Sequence, residues 1–374
     1  MLADDHREPT PGPSRRLLAL VSKPQGLSPG QRFRLEQWAP RLKRDHGITL
    51  DFVPFESSPL TAILYKPGLR LKKALWVSFD FFRRAGTLVR VRRYDAVVVY
   101  REAALLGPAI YERLIAWSGK PIIYDFDDSI WSGAQQMNNG VFSKLHFFGK
   151  TSAICRLAAA VTPGNSFLAA YARKRNPNTV IIPTSIELDD YPLIEEPALG
   201  TPFTVCWTGS TSTLAHFEHA RPALEELARR LPLVVKIICN QPPERPIAGA
   251  TMRFVAWSQE REAEEVGDCH AGIMPLPDDD ATRGKCGLKA LQCMATGRPV
   301  VVSAVGMNTD LIEDGINGFL AADTAEFVDR LYRLSQSATL RRQMGMAGRR
   351  AVELSYSAEA VAARFARVVR QVTG

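Results

Sequence analysis

The sequence is poor in several features that would narrow its class. Its six cysteines (Cys155, Cys206, Cys239, Cys269, Cys286 and Cys293) include no CxxC pair. That argues against a zinc ribbon or a thiol–disulfide motif and for buried free thiols in a reducing cytoplasm. No stretch approaches the ~18 consecutive apolar residues of a membrane-spanning helix. GxGxxG is absent, so a dinucleotide-binding fingerprint is not supported. The opening segment MLADDHREPTPGPSRR lacks the apolar centre of a secretory signal, and residues 1–14 read as a disordered tail. Acids are outnumbered, 39 against 47 Lys and Arg. The net charge of +8 suits an anionic ligand, nucleic acid or an acidic membrane face without choosing among them.

What is present is a long series of short β-branched runs. With 374 residues, two domains are expected. The first half holds runs at Leu17–Val21, Ile48–Val53, Ala96–Tyr100, Ile122–Tyr124, Ala159–Thr162 and Val180–Ile182. The second half repeats the scheme at Phe203–Trp207, Val234–Cys239, Arg253–Ala256, Gly272–Pro275, Val300–Ser303 and Gly318–Leu320. Helical patterns between them argue for βα units and mostly parallel sheets. The Pro-rich stretch Pro183–Gly200 suits a hinge. The reading is α/β, two Rossmann-like domains facing each other across a cleft, with chemistry in the loops after the strands. At the end, Ser357 can cap a helix whose residues Val361, Phe365, Val368, Val369 and Val372 share one face.

Residues 271–306 read as strand (Ala271–Leu276), polar loop (Pro277–Lys285), helix (about Cys286–Thr296) and strand (Pro299–Ser303). Gly297 stands where a left-handed helix terminator belongs, and Pro299 prevents continuation. Gly284 and Gly287 flank the helix start with Lys285 between them. Bare N–H groups at a helix N-terminus, approachable because glycine has no side chain, form an anion site that a lysine adapts to phosphate. The same pattern also fits an ordinary βαβ connection with a solvated loop.

Other loops carry candidate chemistry. Gln31, Arg32 and Arg34 stand near a helix start after the first strand, either facing the cleft as phosphate or carboxylate binders or lying on a solvated face. Arg101 directly follows the third strand. YDFDDSIW ends a strand in Asp125, Asp127 and Asp128, which could bind a metal, act as a base, hold sugar hydroxyls or cap a helix. WTGSTST places Gly209, Ser210 and Thr211 before a further helix. His216 and His219 lie three apart without a third metal ligand nearby. Residues 66–93 hold nine basic side chains against Asp80 alone, with Leu71, Leu75, Trp76, Phe79, Phe82 and Leu88 as an apolar face. Such a helix can lie on an anionic bilayer or pack on the sheet with snorkelling basic ends.

GKCGLKALQCMATGRPVVVSAVGMNTDLIEDGINGFL (284–320) resembles the donor-binding segment of the GT-B glycosyltransferases, specifically the retaining family-4 (group 1) type, with weaker support from WTGSTST, PTSIELDDY and YDFDDSIW. The resemblance spans about residues 15–370. It implies an acceptor domain at 15–183, a nucleotide-sugar donor domain at 184–355, and a final helix, 356–374, crossing back onto the first domain. It implies donor binding by Gly209, Ser210, Thr211, Arg283, Lys285, Cys286, Gly287, Leu288 and Gln292. The chain departs from the family at Gly284 and Gln292, which occupy the two usual glutamate positions. Asp127 stands where the family's cleft histidine would be.

The resemblance therefore implies a hexosyltransferase-type enzyme that moves a sugar from a nucleotide-diphosphate donor to an acceptor hydroxyl, with retention and with neither metal nor cofactor. Asp127, Asp128 and Lys285 would be catalytic, while Arg32, Arg34 and Arg101 would recognise the acceptor. Expected partners are a nucleotide sugar and a glycan, lipid-linked or small-molecule acceptor in cell-envelope or surface glycan synthesis. A cytoplasmic location is expected, peripheral at the inner face of the membrane through 66–93, with no nucleic-acid partner. Two other classes stay open: a non-catalytic GT-B protein that binds nucleotide or glycan, and a GT-B sugar-nucleotide epimerase.

Overall fold

The computed structural model describes residues 13–131, 149–198 and 201–374. The expected tail at 1–14 therefore lies almost wholly outside the described residues.

Two all-parallel sheets form the frame. The first runs in the order β2-β1-β3-β4-β5, with β1 Arg15–Val21, β2 Ile48–Pro54, β3 Ala96–Tyr100, β4 Ile122–Phe126 and β5 Ala160–Pro163. The second runs β11-β10-β9-β6-β7-β8, with β6 Phe203–Thr208, β7 Leu233–Cys239, β8 Thr251–Ala256, β9 Ala271–Met274, β10 Val300–Ser303 and β11 Phe319–Ala321. The central strands AVVVY (Ala96–Tyr100) and IIYDF (Ile122–Phe126) are buried at every position. They can be continuously apolar because helices cover both faces of a parallel sheet. Val180–Ile182, expected as a strand, is not one. It is an extended segment whose Val180 and Ile182 donate backbone bonds to Val161 and Pro163 at 3.0 Å each, and Pro183 then ends the pairing.

The chain crosses between the sheets twice, and the crossings pair with each other. Ile186 N donates to Tyr356 O, and Ala358 N donates back to Ile186 O, each at 2.8 Å. The helix Ala358–Thr373 is capped by Ser357 Oγ accepting from Ala360 N. Its Phe365 packs on Trp38 of the first domain with ring centroids 4.8 Å apart, which returns the chain end to the first sheet.

In the 271–306 stretch the helix is shorter than expected, Leu288–Ala295, because Gly287 at φ +70 breaks the preceding turn. The loop before it contains a short helix, Asp280–Arg283, capped by Asp279. Gly297 takes the left-handed conformation, φ +78, that ends the helix. The basic segment 66–93 forms the helix Arg70–Val91, but its apolar side chains do not share one face. Trp76 and Leu88 pack on the sheet, whereas Leu71, Leu75, Phe79 and Phe82 are exposed.

Candidate functional site

The carboxyl ends of β3, β4 and β5 meet the 280–289 segment of the second domain. Arg101, just past β3, has φ +62, an uncommon backbone state for a residue with a side chain. Its Nε donates to Asp127 Oδ1 at 2.9 Å and its Nη2 to Asp128 Oδ2 at 2.8 Å. Tyr100 OH adds a bond to Asp127 Oδ1 at 3.0 Å. Lys285 then reaches across from the second domain to Asp128 Oδ1 at 2.8 Å. Two carboxylates at one strand end thus coexist because two cations and a phenol sit between them.

The rest of this junction is equally close. Ser129 Oγ donates to Asp280 O at 2.6 Å, and Asn165 Nδ2 donates to the carbonyls of Arg283 and Lys285 at 3.0 and 2.9 Å. Cys286 Sγ contacts Asp127 O at 3.3 Å, and burial pushes its thiol well above the usual range. Gly284 is the tightest point. A β-carbon there would stand 2.8 Å from Ser129 N and nearer still to Ser129 Oγ. In this arrangement a larger residue at 284 would collide with Ser129.

Beyond Lys285, the start of the helix Leu288–Ala295 has no side-chain cap, so its first N–H groups lack intrahelical partners. Lys289, the second residue of that helix, was missed in the sequence. It sits over the Trp207 ring, 5.7 Å from the centroid, and makes no ion pair among the described residues. Burial first, and then Lys285, holds its ammonium down to about 8. His216 lies on the facing short helix, where burial and then Lys289 and Lys285 push its imidazole down to about 4. Lys285 thus bears on both Lys289 and His216, and Asp128 offsets the effect on Lys289 only in part. The signal legible in the sequence was Lys285 and Lys289 at helical spacing i, i+4.

Residues 203–337 match the family described as "Glycosyl transferases group 1". Over the whole chain, the structure is similar to sucrose-phosphate synthase from Thermosynechococcus elongatus, with 18% identity, 96% of this chain and 99% of that chain covered, and a TM-score of 0.68. The chain has the GT-B glycosyltransferase fold. A second GT-B relative by structure is Anabaena HepE in complex with UDP and glucose, with 12% identity, 96% and 100% coverage, and a TM-score of 0.64. The lipopolysaccharide outer core galactosyltransferase WaaB is a third, with 12% identity, 95% and 99% coverage, and a TM-score of 0.64. No curated protein matches the sequence.

Within this GT-B frame several expected site residues lie elsewhere. Arg34 does not face the cleft. It is fully buried, holds Asp125 through Nε at 3.1 Å and Nη2 at 2.5 Å, and donates to the carbonyls of Thr162 and Ile182. Burial pulls its guanidinium down, but Asp125 more than restores it. Asp125 also accepts from Thr162 Oγ1 at 2.8 Å, so the D-x-D pair does not offer two free carboxylates. Arg32 turns to the second domain, with Nη2 3.7 Å from Glu262 Oε2. Arg283 is exposed and neutralised by Asp278 at 2.7 Å. Gln292 is buried and donates to Tyr191 OH at 2.9 Å, and Tyr191 in turn donates to Glu262 at 2.6 Å. Gly209 packs on Trp207, where a β-carbon would meet the indole at 2.6 Å or less, while Ser210 and Thr211 are exposed beside it. Among the described residues no three His, Cys, Asp or Glu side chains converge on a point.

Proposed function

We propose that the chain transfers a sugar from a nucleotide-diphosphate donor to an acceptor hydroxyl, with retention and without a metal, in the synthesis of an envelope or surface glycan. The observation that carries this reading is Lys289, which has no ion-pair partner among the described residues, standing close to Lys285 and His216 at the uncapped helix start. A partly buried cation without a counter-charge is costly, and a diphosphate supplies the missing anion. The helix N–H groups add the positive end of the dipole to the same place. That HepE is described in complex with UDP and with UDP-glucose supports a nucleotide sugar of this kind.

In the transfer, the acceptor oxygen bonds to the sugar C1 as the bond from C1 to the diphosphate oxygen breaks. The electron pair leaves on the diphosphate, where Lys285 and Lys289 stabilise it. The acceptor proton passes to the departing diphosphate or to Asp127, which Tyr100 and Arg101 hold in place. Lys285 must leave Asp128 to take this role, so donor binding competes with the contact between the domains. Thermal-shift screening of UDP, GDP and their sugars tests the reading, because a specific ligand raises the melting temperature with the logarithm of its concentration. Absence of any nucleotide effect would reject it.

A second reading is favoured by one contact. Ser129 fills the space beside Gly284, where the family's sugar-holding glutamate would stand, which suits a nucleotide binder that transfers nothing. Stabilisation by nucleotide with neither hydrolysis nor transfer of the donor would select it.

A further inference from the structure

We propose that the outer face of the helices Arg70–Val91 and Ile110–Trp117 docks on an anionic lipid bilayer. The longer helix buries both polar and apolar residues on its inner side and carries an apolar stripe on its outer side. Its outward stripe is Leu71 (88% exposed), Leu75 (69%), Phe79 (52%), Phe82 (73%) and Val89 (80%). These residues recur at helical spacing, so they form one continuous line. Its inward face carries Lys73, Asp80 and Arg84 beside Val77 and Val91, all buried.

Those polar groups fix the orientation. Arg84 donates to Val53 O at 3.0 Å and Val21 O at 3.1 Å, and Asp80 accepts from Ser57 N and Oγ at 2.8 Å each. Rolling the helix to bury the leucines and phenylalanines would strand a buried guanidinium and a buried carboxylate. The apolar stripe is therefore locked outward by the fold.

The neighbouring helix Ile110–Trp117 packs against it and is also apolar in part on its exposed side. It is docked through Tyr111, whose hydroxyl donates to Phe81 O and whose ring lies 4.9 Å from that of Phe81. Its outward residues include Trp117, 87% exposed, and Leu114. A tryptophan beside aliphatic side chains suits the boundary between lipid headgroups and chains. Large apolar side chains exposed in this number are uncommon on a protein that stays in water.

Charge selects the occupant. Lys66, Arg70, Lys72, Arg90, Arg92 and Arg93 are exposed along the segment, while its one acid, Asp80, is buried and paired. A second copy of this chain would bring two cationic rims together. An anionic bilayer satisfies both the stripe and its rim. This inference stands apart from the nucleotide-site reading.

The test is co-sedimentation of the full chain with phosphatidylcholine vesicles, with and without phosphatidylglycerol. We expect binding only with phosphatidylglycerol, weakening as salt rises. The double variant Phe79→Glu/Phe82→Glu should bind at least about tenfold less, at an unchanged melting temperature and unchanged UDP affinity in solution. Arg90→Glu/Arg92→Glu should lose binding chiefly at low salt. No binding to phosphatidylglycerol vesicles overturns the proposal, as does binding that both variants leave intact. So does a dimer that Phe79→Glu/Phe82→Glu dissociates while neither protein sediments with vesicles, which would assign the face to a second copy.

Discussion

Gly284 packs against Ser129 so closely that a β-carbon at 284 would meet the Ser129 nitrogen at 2.8 Å. The two residues belong to different domains, so the size of one side chain sets how near the domains come. Gly284→Ala should cost about 1–3 kcal/mol by overpacking, and Gly284→Glu should force the domains apart. The melting temperature reads the first effect. A larger radius of gyration by small-angle scattering reads the second, and an unchanged radius in Gly284→Glu would mean that Ser129 moves instead.

Lys289 and the diphosphate should be coupled. Lys289→Met is expected to weaken UDP binding by about 1.5–3 kcal/mol, the usual range for a hydrogen bond to a charged group. That is roughly a 10- to 150-fold rise in Kd by calorimetry. The melting temperature of the free protein should hold or rise, since the variant removes an unpaired, partly buried cation.

The same lysine predicts a pH dependence. Its ammonium is held down to about 8 from an ordinary 10.5. A bound anion favours the charged form, so above pH 8 binding must take up a proton. UDP affinity should therefore be steady from pH 6.5 to about 7.5 and fall as pH rises through 8. In the free protein the unfolded chain holds this proton up to about pH 10.5 while the native one has lost it, so the lysine's destabilising effect is relieved over that window. Lys289→Met should abolish the slope in affinity.

Asp125 and Asp127 should separate cleanly. Asp125→Asn breaks a fully buried ion pair with Arg34 and is expected to cost about 3–5 kcal/mol of stability, visible as a collapse of the melting temperature. Asp127→Asn should leave the fold and UDP affinity nearly intact while slowing transfer by about 10²–10⁴, the range for loss of a general base. An active Asp127→Asn would remove Asp127 from the transfer step.

Much of the architecture was legible because it depends on local pattern. The runs AVVVY and IIYDF had to be strands of sheets covered on both sides, and Gly297 followed by Pro299 had to end a helix. Ser357 and the shared face of Val361, Phe365, Val368, Val369 and Val372 marked the last helix. Arg32, Arg34 and Arg101 looked alike in sequence because each follows a strand or opens a helix. Only their surroundings separate a core cation on Asp125, a contact to Glu262 and a clamp on Asp127 and Asp128.

The helix Arg70–Val91 shows the same division most plainly. Periodicity established that it is helical, basic and amphipathic. It did not establish which side faces the protein, because Lys73, Asp80 and Arg84 have partners only once β1, β2 and Ser57 are brought beside them. The sequence determined the elements, their order and the glycine-flanked helix start, all of which follow from short-range sterics and burial. The narrowness at Gly284, the isolation of Lys289 and the outward stripe of Phe79 and Phe82 were decided by tertiary structure, because each depends on residues distant in sequence arriving within a few ångströms.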